Sequence, residues 1–254
     1  MSGQRVFTDD QVAAFRRDGF LVVRGMYDAD EMREILAWTR EIEHAPERPG
    51  GTWMYFEQSK ADGSRILSRV ENFVPHHEGF RRLITTRKMQ QAVSELFGEP
   101  AVLFKDKINF KLPGGDGFKP HQDVQAGWDD FASLHITAMV AIDATNEANG
   151  SLEMLPGMHD RGLLAEKWAP LPEGHEQGRE YVAVHCAPGD AVFFDSYAPH
   201  RSGPNRTPDK RRVLYITYNR ASEGDHREAY YAAKHRNYPP DIERDPDKSY
   251  AFKV

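Results

Sequence analysis

Lys119-Pro120-His121-Gln122-Asp123 places an imidazole and a carboxylate two positions apart. On an extended strand, residues i and i+2 point to the same face, so His121 and Asp123 can reach one ion together. A further histidine, His200, stands 77 positions beyond Asp123 (200 − 123), in strand-and-turn context. Two imidazoles and one carboxylate form the facial set that holds non-haem Fe(II) and leaves coordination positions open. His-x-Asp alone arises often by chance; the sequence after His200 makes it specific.

That sequence, His200-Arg201-Ser202-Gly203-Pro204-Asn205-Arg206-Thr207-Pro208-Asp209-Lys210-Arg211-Arg212, is a turn-rich loop. It runs into an apolar strand, Val213-Leu214-Tyr215-Ile216-Thr217-Tyr218. An arginine at the opening of that strand can face a metal held by His200 across a pocket. A planar guanidinium pairs bidentately with a carboxylate. One dicarboxylate can then chelate the ion at one end and meet Arg211 at the other. Arg212 points to the opposite face of the strand and reads as structural.

With these residues in view, the chain resembles the phytanoyl-CoA dioxygenase family of Fe(II)/2-oxoglutarate oxygenases. The matching pieces are His121-Gln122-Asp123, Asn149-Gly150-Ser151-Leu152 with Leu155-Pro156-Gly157-Met158-His159, Pro188-Gly189-Asp190, and the His200 segment ending at Arg211. They run in the family's order; Met158 stands where the family often has Ser. The resemblance implies a mainly β fold with flanking helices, a double-stranded β-helix (jelly-roll, cupin-like) core. It implies Fe(II) on His121, Asp123 and His200, and O2 and 2-oxoglutarate as co-substrates. Arg211, supported by Ser202, would meet the distal carboxylate of 2-oxoglutarate, with Lys107 as a further cofactor-binding residue. The implied chemistry is hydroxylation of an unactivated C–H with release of succinate and CO2. Halogenating relatives lack the carboxylate, so Asp123 favours hydroxylation.

Composition fits this. The 254 residues are 39% hydrophobic and 28% charged, with net charge −6. That suits one domain over 1–254: a helical packing region (about 1–100), a β-helix core (about 101–220) and a tail (about 221–254). The negative balance argues against nucleic acid as a partner. No apolar run approaches a membrane span and the start carries no hydrophobic leader, so a cytoplasmic enzyme acting on a small molecule is expected. Cys186 is the single cysteine and reads as a buried strand position. Nothing in the sequence fixes the oligomeric state.

Along the chain, Thr8-Asp9-Asp10-Gln11 is a capping box opening a helix that Gly19 stops. Phe20-Leu21-Val22-Val23 reads as a short buried strand, and Asp28 opens a second helix whose Met32, Ile35, Leu36, Thr39 and Ile42 share a face. Trp53-Met54-Tyr55-Phe56 and Ile66-Leu67-Ser68-Arg69-Val70 form a hairpin over the pocket mouth, making Arg69 and Tyr55 candidate contacts. The commoner outcome is an exposed arginine and a half-buried tyrosine. His76-His77 reads as a solvated loop pair before a helix over 86–97. In the strand over 102–112, Phe104, Ile108, Phe110 and Leu112 share one parity and Lys105, Lys107, Asn109 and Lys111 the other. Lysines on such a strand commonly face solvent; turned inward, they face ligands. Residues 161–179 form a surface loop near the site, a helix covers 228–234, and prolines extend the end. Turn after strand indicates an antiparallel two-sheet barrel.

Three function classes follow: a 2-oxoglutarate oxygenase, a cupin-like metal protein without oxygenase activity, and a silent barrel used for binding. Only the first needs Arg211. For the substrate, the compact chain and the Tyr230-Tyr231 tail are similar to the 2-aminoethylphosphonate hydroxylase branch of the family. A small anionic metabolite, such as a phosphonate, suits the row Lys105, Lys107 and Asn109, with Arg69 from the hairpin. An acyl-CoA, a carrier-bound acid, a compatible solute and a secondary metabolite are the alternatives.

Overall fold

The computed structural model describes residues 5–250; Met1-Ser2-Gly3-Gln4, at the start read as leaderless, lie outside them. Thr8 caps helix α1 (Asp9–Asp18): its hydroxyl accepts from the Gln11 N–H while the Gln11 side chain accepts from the Thr8 N–H. Gly19 ends the helix with φ 81°, and a Cβ there would meet the His159 ring at 2.5 Å. Strand β1 (Phe20–Val23) follows as a sheet edge and buries only Leu21. Asp28 caps α2 (Ala29–Glu43), whose buried side is Met32, Ile35, Thr39 and Ile42.

Strands β2 (Trp53–Gln58) and β3 (Arg65–Glu71) form the expected hairpin. They extend the larger sheet, and Arg69 and Glu71 line a cavity on its inner face. Two helices come next, α3 (Glu78–Thr85) and α4 (Arg87–Phe97). The sequence reading placed a loop where α3 lies. His77 is its cap, with Nδ1 accepting from the Phe80 N–H, so it is not a solvated loop residue.

Then come β4 (Ala101–Lys111), β5 (Phe118–His121), β6 (His135–Ala141), β7 (Leu152–Met154), β8 (Val182–Val184), β9 (Ala191–Asp195), β10 (His200–Ser202), β11 (Arg211–Arg220) and α5 (Arg227–Asn237). The end is not fully extended: Asp241–Glu243 makes one 3-10 turn.

Two antiparallel sheets face each other, ordered β1-β9-β6-β11-β4-β3-β2 and β5-β10-β7-β8. This is the double-stranded β-helix. The central strands carry two faces of opposite use. Ile108, Phe110, Ile136, Ala138, Val140, Phe193, Leu214 and Ile216 join α1 to α4 in one core outside the larger sheet. Apart from Ala138, each such side chain contributes about 1.5–3 kcal/mol on full burial. Met139, Ala141, Leu152, Met154, Val192, Phe194 and Val213 fill part of the space between the sheets.

One irregularity matters for the site. β11 pairs Tyr218 with Leu103 and Thr217 with Lys105, so Phe104 is an extra residue in the ladder, a bulge. Phe104 therefore leaves the face of Ile108 and Phe110 and packs against Trp128, His135 and Tyr230 instead. Beyond the bulge, Lys105, Lys107, Asn109 and Lys111 line the interior and not the solvent side. No helix among the described residues is long and apolar enough to cross a membrane.

Candidate metal centre

β5 and β10 pair with His121 directly opposite His200, and the two rings lie 4.3 Å apart, centroid to centroid. β5 stops at His121, so Asp123 is not a strand residue; it opens a 3-10 turn, Asp123–Ala126. Gln122 between them keeps extended backbone (φ −111°, ψ 135°), which turns Asp123 to the side of His121. Asp123 Oδ1 is 4.0 Å from His121 Nε2 and 3.9 Å from His200 Nε2. One ligand atom from each residue lies within 4.8 Å of the others, a group that could hold a metal ion.

Backbone carbonyls orient both rings. His121 Nδ1 is 2.7 Å from the Lys119 oxygen and His200 Nδ1 3.0 Å from the Ala198 oxygen. A carbonyl only accepts, so each Nδ1 carries the proton and each Nε2 presents a lone pair. Burial, reinforced by His200, pushes His121 down to about 3, which keeps it neutral as a ligand must be. Burial alone would raise the Asp123 carboxyl; His200 and Lys107 bring it below its ordinary value. Thr137 Oγ1 points at Asp123 Oδ2 at 3.5 Å and contacts Thr217 Oγ1 at 2.9 Å, leaving Oδ1 toward the histidines. The donor set fits Fe(II).

Two clusters of buried cations flank this group on the inner face of the larger sheet. The first is Arg211 with Lys111, direct partners across β11 and β4. Arg211 is 3% exposed and donates to the carbonyls of Asn149 and Gly150. Lys111 Nζ donates to Ser202 Oγ at 2.9 Å and to the Gly203 carbonyl. Ser202 therefore supports Lys111 and not Arg211 directly. Among the described residues, neither cation is ion-paired to a carboxylate. Burial, with Arg211 beside it, pushes the Lys111 ammonium down to about 7, and burial also lowers Arg211. Gly150 sits where φ is 73° and a Cβ would meet the Gly203 oxygen at 2.1 Å, so the loop over Arg211 needs glycine there. Asn205 ties the same loop down, donating to the Lys111 and Asp209 carbonyls. Arg212 faces the other way and pairs with Asp143 and Glu43.

The second cluster surrounds Glu71, 1% exposed. Its carboxylate meets Arg69 Nε at 3.1 Å, Lys105 Nζ at 3.7 Å and Lys234 Nζ. Arg69 is buried, not exposed, because its guanidinium lies over the Tyr55 ring at 4.4 Å; Tyr55 is buried too and stacks on Tyr238. Lys105 lies over Trp128 and Tyr230. Burial would raise Glu71, but Lys105, Lys234 and Arg69 hold it well below the carboxylate range. Lys107 Nζ sits over the Tyr215 ring at 4.6 Å, between the clusters, and burial lowers it to about 8.

One cavity brings these groups together. Arg69, Glu71, Lys105, Lys107 and Asn109 line it with His121, Asp123, His200, Ser202 and Tyr215. Arg211 and Lys111 adjoin it through Tyr215 and Ser202. Sequence reasoning assigned no role to Lys111, Glu71, Tyr215 or Thr137. Lys111 was visible on the inward parity and Glu71 by its i+2 spacing from Arg69; Tyr215 and Thr137 carry no sequence signal. His76 and His159 are not among the cavity-lining residues. Cys186 is buried and bridges Thr145.

The motif's glutamines hold the neighbouring loop. Gln122 donates to the Gly162 and Tyr197 carbonyls and accepts from the Leu164 N–H; Gln125 donates to the Glu166 and Ala169 carbonyls. Trp168, on that loop, borders a second cavity with Phe131, Tyr230 and Lys234, which shares Lys105 and Ala126 with the first.

Comparison with known proteins agrees with this geometry. The phytanoyl-CoA dioxygenase (PhyH) family model matches residues 15–213. The chain is 40% identical to a 2-aminoethylphosphonate dioxygenase of the uncultured bacterium HF130_AEPn_1, covering 96% of this chain and 94% of the relative. It is 39% identical to a methylphosphonate hydroxylase of Gimesia maris, covering 91% and 88%. Among solved structures, EctD from S. alaskensis with 2-oxoglutarate and 5-hydroxyectoine superposes with a TM-score of 0.76 at 21% identity, over 88% of this chain and 79% of that one.

Proposed function

The chain belongs to the phytanoyl-CoA dioxygenase family, the Fe(II)- and 2-oxoglutarate-dependent oxygenases, and we propose that it hydroxylates a C–H of a small phosphonate. The observation that carries the substrate is the cavity beside the metal group, lined by Arg69, Lys105 and Lys107 with Asn109. A phosphonate is a compact dianion near neutral pH and suits such cationic and amide donors. An acyl-CoA or carrier-bound acid would need a long aliphatic wall, and Leu152 and Ala126 are the only aliphatic residues among those that line the cavity. The two phosphonate-named relatives support the same class.

In this reading His121, Asp123 and His200 hold Fe(II). Arg211, Lys111 and Ser202 take the distal carboxylate of 2-oxoglutarate, which supplies the negative charge these buried cations lack. With the ion bound, the chemistry available is oxidative decarboxylation of 2-oxoglutarate by O2 to succinate and CO2, coupled to insertion of one oxygen atom into the substrate C–H. The protein's own part is placement. The Lys119 and Ala198 carbonyls fix the imidazoles, Thr137 fixes Asp123, and the aromatic walls Phe118, Trp128, Phe194 and Tyr215 exclude water.

The test is succinate release coupled to product formation by the Fe(II)-loaded protein with 2-aminoethylphosphonate, methylphosphonate, an acyl-CoA and an uncharged control. Coupled turnover of the phosphonates is expected. Robust turnover of the acyl-CoA with none of either phosphonate would overturn the substrate class.

A further inference from the structure

The metal cavity is small, about 60 Å3, whereas the second cavity, which shares Lys105 and Ala126 with it, is about 380 Å3. A substrate of one carbon has nothing to place there. The walls of the second cavity are largely ring surface, from Phe131, Trp168, Tyr230 and Tyr238. Phe131 and Tyr230 meet edge to face with centroids 5.8 Å apart. Trp168 has φ 65°, in the left-handed region that bulky residues rarely adopt, and is 45% exposed. Its N–H donates to the Gln125 carbonyl, and its indole lies on Gly127, where a Cβ would meet it at 3.3 Å.

Charge changes sign from one cavity to the other. Arg69, Lys105 and Lys107 line the metal cavity. Lys105, on the wall common to both, has Glu71 as its counter-ion. Lys234 borders the second cavity and contacts the same carboxylate; burial pushes it well below the ordinary lysine value, so it adds little positive charge there. At the outer rim stands Asp130, and Lys167 is shared between Asp129 at 2.6 Å and Asp130 at 2.8 Å. Two carboxylates meet one ammonium, so the rim is negative. Ring faces also carry negative potential and attract cations.

We propose that the second cavity is the subsite for the far end of the substrate and that it takes an organic ammonium, held between the rings of Phe131, Trp168 and Tyr230 and the Asp130 carboxylate. The substrate then carries both charges, with its phosphonate and reacting C–H in the metal cavity. The proposal rests on the phosphonate reading and deepens it. Trp168 and Asp130 become specificity-determining residues that touch neither the metal group nor the 2-oxoglutarate end.

Two measurements on the full chain, loaded with Fe(II) and 2-oxoglutarate, test this. The first compares kcat/KM for 2-aminoethylphosphonate and for propylphosphonate, its uncharged isostere. Wild type should prefer the ammonium compound by about 5- to 30-fold. Trp168→Leu, which keeps an apolar side chain and removes the ring, should erase most of that preference. Asp130→Asn should reduce it by about 2- to 5-fold, as suits an exposed carboxylate. The second is calorimetric titration with choline, an ammonium without a phosphonate, in the absence of O2; wild type should bind it more tightly than Trp168→Leu. Equal or better turnover of propylphosphonate by wild type overturns the ammonium assignment. If phosphonates turn over and the preference is the same in both variants as in wild type, the subsite is wrong and the function stands. If no phosphonate turns over yet choline binding depends on Trp168, the function is wrong and the ammonium subsite stands.

Discussion

The two cation clusters flanking the metal group are built on opposite electrostatic plans. Arg211 and Lys111 share one end of the β4–β11 pair with no ion-paired carboxylate among the described residues, Glu57 and Asp116 acting on Lys111 only from a distance. Arg69, Lys105 and Lys234 close around a resident carboxylate, Glu71. Two like charges about 4 Å apart repel by about 4 kcal/mol at an effective dielectric of about 20. The first cluster answers that cost by giving up a proton, with Lys111 lowered to about 7. The second answers it with an internal counter-ion that keeps Lys105 charged, although burial pushes its Lys234 well below the ordinary lysine value. The first is thus completed only by an incoming anion, while the second stays organised when empty. A co-substrate common to every turnover suits the first plan, and a selective substrate suits the second.

The comparison presupposes an ion between the clusters, so the largest effect is at the metal. Asp123→Ala should abolish iron binding and lower turnover by more than about 100-fold, as loss of a ligand exceeds the 10- to 100-fold typical of outer-shell changes. Metal analysis after anaerobic loading checks it; full iron occupancy in this variant would move the centre elsewhere.

Next is the contrast between neighbouring arginines. Arg211→Ala should raise the KM for 2-oxoglutarate by about 10- to 100-fold, from the roughly 1.5–3 kcal/mol of a charge-assisted bond. Arg212→Ala should leave that KM alone and instead lower Tm, because it strips a buried partner from Asp143 and Glu43. Equal effects on KM would erase the distinction between the two faces of β11.

A third prediction concerns protons. In the empty protein Lys111 titrates near 7, against an ordinary value of 10.5. At pH 8 it is mostly neutral, and a bound dicarboxylate raises its pKa. Binding 2-oxoglutarate at pH 8 should therefore take up close to one proton, read by calorimetry in buffers of different ionisation enthalpy. The sign for stability runs the other way. The unfolded chain holds this proton up to about pH 10.5, so the empty protein gains stability as pH rises from about 7 toward 10.5. Lys111→Met should remove both the uptake and that part of the rise.

The smallest effect is Ser202→Ala, which deletes one acceptor from Lys111. About 1 kcal/mol, or a few-fold in the KM for 2-oxoglutarate, is expected. A loss as large as that of Arg211→Ala would mean that Ser202 contacts the co-substrate itself.

Much of this was legible in the sequence where a local rule governs. Thr8, Gly19 and Asp28 set helix ends by capping chemistry, and the alternation from Lys105 to Lys111 marked a two-faced strand. The metal trio could be picked out because His-x-Asp and the His200 segment are short-range patterns. What failed was governed by long-range packing. The burial of Arg69 depends on Tyr55 and Tyr238, 183 residues apart (238 − 55). Glu71 was assigned no role because two of its partners, Lys105 and Lys234, lie on β4 and α5. Phe104 broke parity through a bulge, which alternation alone does not reveal. Helix α3 was missed because its start is signalled by a histidine cap, outside the usual Ser/Thr/Asp/Asn set.

Gln122 and Gln125 have a consequence for how such a protein diversifies. Both interleave with the metal motif, and both grip the loop at 162–169 only through its main-chain amides and carbonyls. The anchorage is blind to the loop's side chains. Trp168 and its neighbours are therefore free to be rewritten while the attachment points persist, as a cartridge is exchanged in a fixed socket. An engineer seeking altered access to the second cavity would transplant this loop whole and leave His121, Gln122, Asp123 and Gln125 untouched.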